Sequence, residues 1–226
     1  MMLDRILCSK RTSPQKLGKR STDLLLGGLL VLAALLPALL IAFVLRFMLH
    51  NRALYRQTRV GWRGQTFQMY KFTTMMVQED DHEIRIADDE SDPRITSFGR
   101  WLRRYGLDEL PQLVHVLHGD MSLVGPRPFP LDQDRRLREL HPLYTRRQVV
   151  RPGITGLAQL SSSRDPKPVR EDVARLVALD LAYTEHCSLT LDVVILLRTA
   201  VYLLRGQDKG SKYEHSHHGF QRTNRH

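Results

Sequence analysis

Leu24 to Leu45 forms an uninterrupted apolar run of 22 residues, LLLGGLLVLAALLPALLIAFVL, with no charge anywhere in it. At about 1.5 Å per residue a helix of this length covers a bilayer core of roughly 30 Å. Pro37 lies beyond its middle, where the missing N–H removes the backbone bond to the Ala33 carbonyl, and Gly27-Gly28 weakens the first turns. Basic residues flank both ends, Lys10, Arg11, Lys16, Lys19 and Arg20 before and Arg46, Arg52, Arg56 and Arg59 after. Positive flanks favour the cytoplasmic side, so a segment that enters and returns, broken at Pro37, is the expectation. Asp23 at its mouth then needs a partner such as Lys19 or Arg20.

Polar and apolar positions change rhythm after the anchor. Leu54 to Val60 and Thr66 to Phe72 read as strands joined through Gly61-Trp62-Arg63-Gly64, a small hairpin. Phe98 and Leu102 set among Arg100, Arg103 and Arg104 suggest a short basic helix, and Leu110, Leu113, Val114 and Leu117 recur at helical spacing just beyond it. Leu176, Leu179, Asp180 and Tyr183 share a helical face. Leu189 to Leu204 is apolar but carries Asp192 and Arg198, so it reads as a core or interfacial helix rather than a second span. The fold expected is α+β and mostly helical: one compact domain with a small β-hairpin, a re-entrant N-terminal membrane helix and interfacial amphipathic helices. Its divisions are a basic segment (1–23), a membrane-inserted helix-break-helix (24–49), a cytoplasmic catalytic domain (50–205) and a polar tail (206–226) expected to be disordered.

Composition narrows the partners. The 226 residues carry a formal net charge of +10, which points to a polyanion: nucleic acid, anionic lipid headgroups or a phosphorylated substrate. A membrane-tethered basic binding module is the non-enzymatic reading, but no nucleic-acid-binding motif or patterned aromatic platform supports it. Cys8 and Cys187 offer neither a disulfide framework nor a CxxC pair. The acidic run from Glu79 to Asp92 lacks EF-hand spacing and reads as a solvated loop, and His215, His217 and His218 as part of the tail. Oligomeric state is left open.

Candidate chemistry centres on Asp108-Glu109, five residues after Arg103-Arg104 and shortly before Pro111. Proline is tolerated in the first helical turn, so a helix begins near Asp108, where free N–H groups favour carboxylates and phosphate. Capping alone explains such a pair in many proteins. Two Gly/Pro-rich loops with embedded arginine follow, Ser122 to Pro128 around Arg127 and Arg151 to Gln159. Glycine permits close backbone approach and arginine presents a planar fork to phosphate oxygens. No P-loop or GxGxxG sequence is present.

These motifs coincide in order with others: Lys19-Arg20 with Asp23, Gln57 to Gly61, Tyr70-Lys71-Phe72 with Thr74-Met75, Asp92 to Thr96, Leu107 to Leu113, Gly119 to Pro128, Arg151 to Gly156, and Asp180 with Tyr183. From about Lys19 to Leu204 the chain resembles the bacterial sugar transferase family, specifically the small monotopic phosphoglycosyl transferases. The resemblance implies Mg²⁺-dependent transfer of a sugar 1-phosphate from a UDP-sugar to a polyprenyl phosphate, undecaprenyl phosphate in bacteria, at the cytoplasmic membrane face, releasing UMP and starting exopolysaccharide, O-antigen (lipopolysaccharide) or glycoprotein glycan assembly. It implies Asp108 as a covalent nucleophile, with Glu109 binding metal or positioning the acceptor and Mg²⁺ contacting the pair. Arg103, Arg127 and Arg151 become the expected phosphate contacts, and Lys71 and Asp180 further substrate-site residues. Direct attack by the lipid phosphate is the rival route. Three departures from the family pattern stand out: Thr73 where Arg or Lys is usual, Leu36 before Pro37 where serine is usual, and Leu160 to Arg164 in place of Val-Asn-Gly-Arg.

Overall fold

The computed structural model describes residues 13–49, 53–76, 92–161 and 169–205; most of the acidic run, Ser162 to Arg164 and the histidine-bearing tail lie outside them. Mostly helical with a small sheet, as the patterning predicts, the chain is organised around one long helix. Helix α1, Ser13–Met48, spans 36 residues, or about 54 Å.

The break expected at Pro37 is corrected here: α1 is a single helix with the proline inside it. A proline φ is already helical, so the cost is one lost bond and local crowding. Packing on both sides of the proline offsets it, since Ala34 sits against one cluster with Leu113, Val116 and Met121, and Ala38, Ile41 and Leu45 against another with Phe72 and Leu102. Buried and half-buried positions recur as Asp23, Gly27, Val31, Ala34, Ala38, Ile41 and Leu45, one stripe at helical spacing, while Leu25, Leu32, Leu36 and Phe43 face outward. Small residues on the stripe let the domain approach closely: a Cβ on Gly27 would meet Val116 Cγ1 at 3.0 Å.

The hairpin forms over the residues expected. β1 (Leu54–Val60) pairs antiparallel with β2 (Thr66–Phe72), from Leu54 opposite Phe72 to Val60 opposite Thr66. Helix α2 (Ser97–Arg104), capped by the Thr96 hydroxyl, leads through Gly106 in the left-handed region to a 3-10 segment, Leu107–Gln112, that continues into α3 (Leu113–His118). The helical start near Asp108 is therefore real, but its first turns are 3-10.

Three strands were invisible to patterning. β3 (Ser122–Val124) runs parallel to β5 (Gly153–Thr155), which sets the two Gly/Pro loops side by side. A Cβ on Gly125 would strike the Arg151 carbonyl and one on Gly153 the Gly125 amide, so this approach requires glycine. β4 (Phe129–Pro130) adds to the free edge of β1. Helices α4 (Leu131–Leu140), α5 (Arg170–His186) and α6 (Leu189–Leu204) complete the domain, with a 3-10 segment at Tyr144–Val149.

Candidate active site

Strand β2 and the 3-10 segment bring the first predicted residues together. Lys71 Nζ donates to Glu109 Oε1 at 2.9 Å, and Arg127 Nη1 lies 3.7 Å from the same oxygen. Asp108 is buried on the same segment, close enough to Lys71 to favour its charged form. Burial is the larger influence on Lys71 and lowers its pKa; Glu109 and Asp108 raise it, and Arg127 and Arg59 lower it further. Two carboxylates and two further cations thus lie within electrostatic reach of Lys71. The Oδ1 atom of Asp108 is buried without a hydrogen-bond partner. Such an atom in a native fold calls for a ligand, an ion or a water.

The loop bearing Arg127 is fixed by its backbone. Arg147 Nη2 donates to the Arg127 carbonyl at 2.6 Å, and Arg59 Nη1 to the Pro128 carbonyl at 2.7 Å. Both arginines are buried, 3% and 5% exposed. Arg147 Nε is paired with Asp180 at 2.7 Å, and its guanidinium lies over the Phe129 and Tyr144 rings. Burial is the largest influence and works against this cation, but Asp180, Tyr144 and Asp134 together outweigh it and hold the group charged, above its ordinary pKa. Beside it Tyr144, whose hydroxyl is pushed far up by burial, donates to Asp134 at 2.9 Å.

Asp180, expected as a substrate contact, therefore stands behind Arg147, which stands behind the Arg127 backbone. Arg103 is anchored on the Thr74 hydroxyl at 2.8 Å, just past the end of β2. Arg151 lies at the far end of α3, with Nε on the Gly119 carbonyl at 2.7 Å and its guanidinium over Trp62 at 4.6 Å. Lys71, Asp108, Glu109 and Arg127 converge, Arg103 borders them, and Asp180 and Arg151 act at one remove. Thr73, the departure next to Lys71, is buried. Arg147 carries no sequence signal, being one of 34 Lys and Arg residues.

Two sets of side chains bear on metal binding. Asp108 and Glu109 supply hard carboxylate oxygens, the donor type Mg²⁺ prefers, and the orphaned Asp108 Oδ1 fits such an ion. His115, His118 and Asp120 hold possible ligand atoms within 4.8 Å of one another. Arg20, which donates to the Val116 and Leu117 carbonyls, and Arg151 crowd that end of α3 and oppose a cation.

At the mouth of the anchor Asp23 finds the partners it needs: Lys19 Nζ at 3.4 Å and the Leu123 amide at 3.2 Å. Lys19 also pairs with Asp192 at 2.8 Å, and Tyr183 donates to Asp192 at 2.8 Å. This links α1 to α6, α5 and the strand before Arg127.

Residues 14–206 match the model of the bacterial sugar transferase family. An undecaprenyl-phosphate glucose phosphotransferase of Komagataeibacter xylinus is 41% identical over 188 residues, covering 81% of this chain and 35% of that protein. A UDP-glucose:undecaprenyl-phosphate glucose-1-phosphate transferase of Caulobacter vibrioides is 41% identical over 189 residues, 83% of this chain and 70% of its own length. The exopolysaccharide production protein ExoY of Sinorhizobium fredii is 38% identical over 207 residues, 84% of this chain and 88% of its own. The chain thus spans about a third of the first relative and most of the other two. With the match running from α1 through α6 and taking in every element that builds the site, the chain belongs to the bacterial sugar transferase family.

Proposed function

We propose that this chain transfers a sugar 1-phosphate from a UDP-sugar to a polyprenyl phosphate at the cytoplasmic face of the membrane, releasing UMP, as the first step of exopolysaccharide, O-antigen or glycoprotein glycan assembly. The names of the relatives make UDP-glucose and undecaprenyl phosphate the first pair to try. One observation carries the reading: a buried aspartate with an unpartnered oxygen, next to a second carboxylate that is paired with a lysine and approached by an arginine.

In the first half-reaction an Asp108 carboxylate oxygen attacks the β-phosphorus of the donor. A phosphorus–oxygen bond forms to Asp108, the bond to the bridging oxygen breaks, and that oxygen leaves with UMP. In the second, an oxygen of the lipid phosphate attacks the same phosphorus and the Asp108 carboxylate is regenerated. A carboxylate approaches an anionic phosphate only where charge is offset, which Lys71 and Arg127 do from fixed positions. Glu109 holds Lys71 in place. Asp108 and Glu109 would hold Mg²⁺, which when bound supplies further neutralisation of the diphosphate. Arg103 and Arg151 are proposed to reach the outer phosphate and nucleotide portions of the donor.

The long helix supports a monotopic placement. An upright spanning helix touches its soluble domain at one end, whereas here one face of α1 packs against the domain from Asp23 to Leu45 and the other is apolar and bare. With basic residues at both ends, a helix held in one leaflet, both termini cytoplasmic, satisfies the pattern.

The test is release of UMP by the full chain in nanodiscs from a panel of UDP-sugars with undecaprenyl phosphate. One preferred UDP-sugar turned over only when the lipid phosphate is present is the expected result. No UMP from any donor would overturn the reading.

A further inference from the structure

Asp108 and Gln112 are the two buried residues of the 3-10 segment, and each leaves a polar atom without a partner: Asp108 Oδ1, an acceptor, and Gln112 Nε2, a donor. Gln112 is 4% exposed. A buried amide hydrogen left unmade is costly, and replacing it by an apolar group of the same shape would relieve the cost. Chains keep such a group where something else completes it. In a 3-10 segment side chains three residues apart eclipse, which sets Gln112 on the same face as Glu109, next to Asp108 in the chain. Neither atom completes the other in the free protein; a phosphoryl group on Asp108 brings several acceptors.

We propose that the Gln112 side-chain amide is a catalytic hydrogen-bond donor to a phosphoryl oxygen of the group that Asp108 attacks and carries. This rests on Asp108 being the nucleophile. The amide is neutral, so it orients the phosphoryl group without competing for the charge that Lys71 and Arg127 offset, and it strengthens as negative charge gathers on the oxygens in the transition state. The assignment also accounts for an arrangement that stability alone disfavours.

The experiment measures single-turnover UMP release, without lipid acceptor, from the UDP-sugar the wild-type full chain uses, together with the thermal midpoint of each protein without donor. Wild type, Asp108→Asn, Gln112→Met and Gln112→Glu are compared. The expected result is about a 10²-fold slower release in Gln112→Met, the size of effect seen when one transition-state donor is removed, with a thermal midpoint equal to or above wild type. Gln112→Glu, which keeps the shape and loses the donor, should also be slow. A wild-type rate in either folded variant would overturn the proposal and assign the amide to an ordered water, and failure of both to fold would make it a structural group. Undiminished release by Asp108→Asn is a different failure: it removes the nucleophile and the proposal with it.

Discussion

Two ion pairs lie on either side of the Arg127 loop, one buried and one half-buried, and they are built differently. Around Arg147 and Asp180 the polar atoms are used: Nε on Asp180, Nη2 on the Arg127 carbonyl, Nη1 on the Tyr144 hydroxyl, with aromatic rings against the guanidinium. Around Lys71 and Glu109 the set is incomplete, since Asp108 Oδ1 and Gln112 Nε2 have no partner. Charge is withdrawn from water in both places, fully in the first and partly in the second. In the first it holds a loop; in the second, under the proposed function, it is kept for a ligand. Satisfaction of hydrogen bonds, more than burial or charge, separates a structural pair from a reactive one.

The sharpest break of this comparison comes from the two aspartates. Asp108→Asn should lower turnover by at least about 10³-fold, because the attacking oxygen is lost, while the thermal midpoint holds or rises, because a buried and incompletely partnered charge is removed. Asp180→Ala should do the reverse in kind. Leaving Arg147 buried without its carboxylate costs about 3–5 kcal/mol, to be read from denaturant unfolding. If Asp180→Ala were as stable as wild type, the clamp would not be holding the loop.

A smaller effect comes from pH. Burial lowers the Lys71 pKa, so the charge that pairs with Glu109 and faces the donor is lost on the alkaline side, below the ordinary lysine range. Activity should fall as pH rises through that lowered value, and Lys71→Arg, which stays charged, should remove the alkaline fall even if its maximum is reduced. Stability has the opposite sign. The unfolded chain binds the Lys71 proton more tightly than the folded chain, so the contribution of Lys71 to stability rises as pH climbs from the lowered pKa toward the ordinary one. An alkaline limb unchanged by Lys71→Arg would assign the titration to another group.

Local order carried the readable part of the molecule. The hairpin, α2, the helical start near Asp108 and α6 follow from periodicity, glycine and proline within a few residues, and the Asp-Glu pair with its loop arginines was evident as chemistry. Non-local order was not. Ser122–Val124 and Gly153–Thr155 are too short and too glycine-rich to announce parallel pairing, which depends on contacts some thirty residues apart. Arg147 and Arg59 look like surface cations until folding buries them under the Arg127 loop. In α1 a uniformly apolar sequence hides which face meets the domain, and only the small residues Gly27, Ala34 and Ala38 hint at it. Pro37 suggested an interruption because the sequence does not display the packing on both sides of it that accompanies an unbroken helix.

The central claim is that Asp108 carries the phosphosugar. The direct measurement is intact-protein and peptide mass spectrometry of the full chain after brief exposure to its UDP-sugar without polyprenyl phosphate. The predicted result is one added sugar phosphate on the peptide containing Asp108, formed with one equivalent of UMP and discharged when the lipid phosphate is added. An unmodified Asp108 peptide alongside single-turnover UMP release would contradict it.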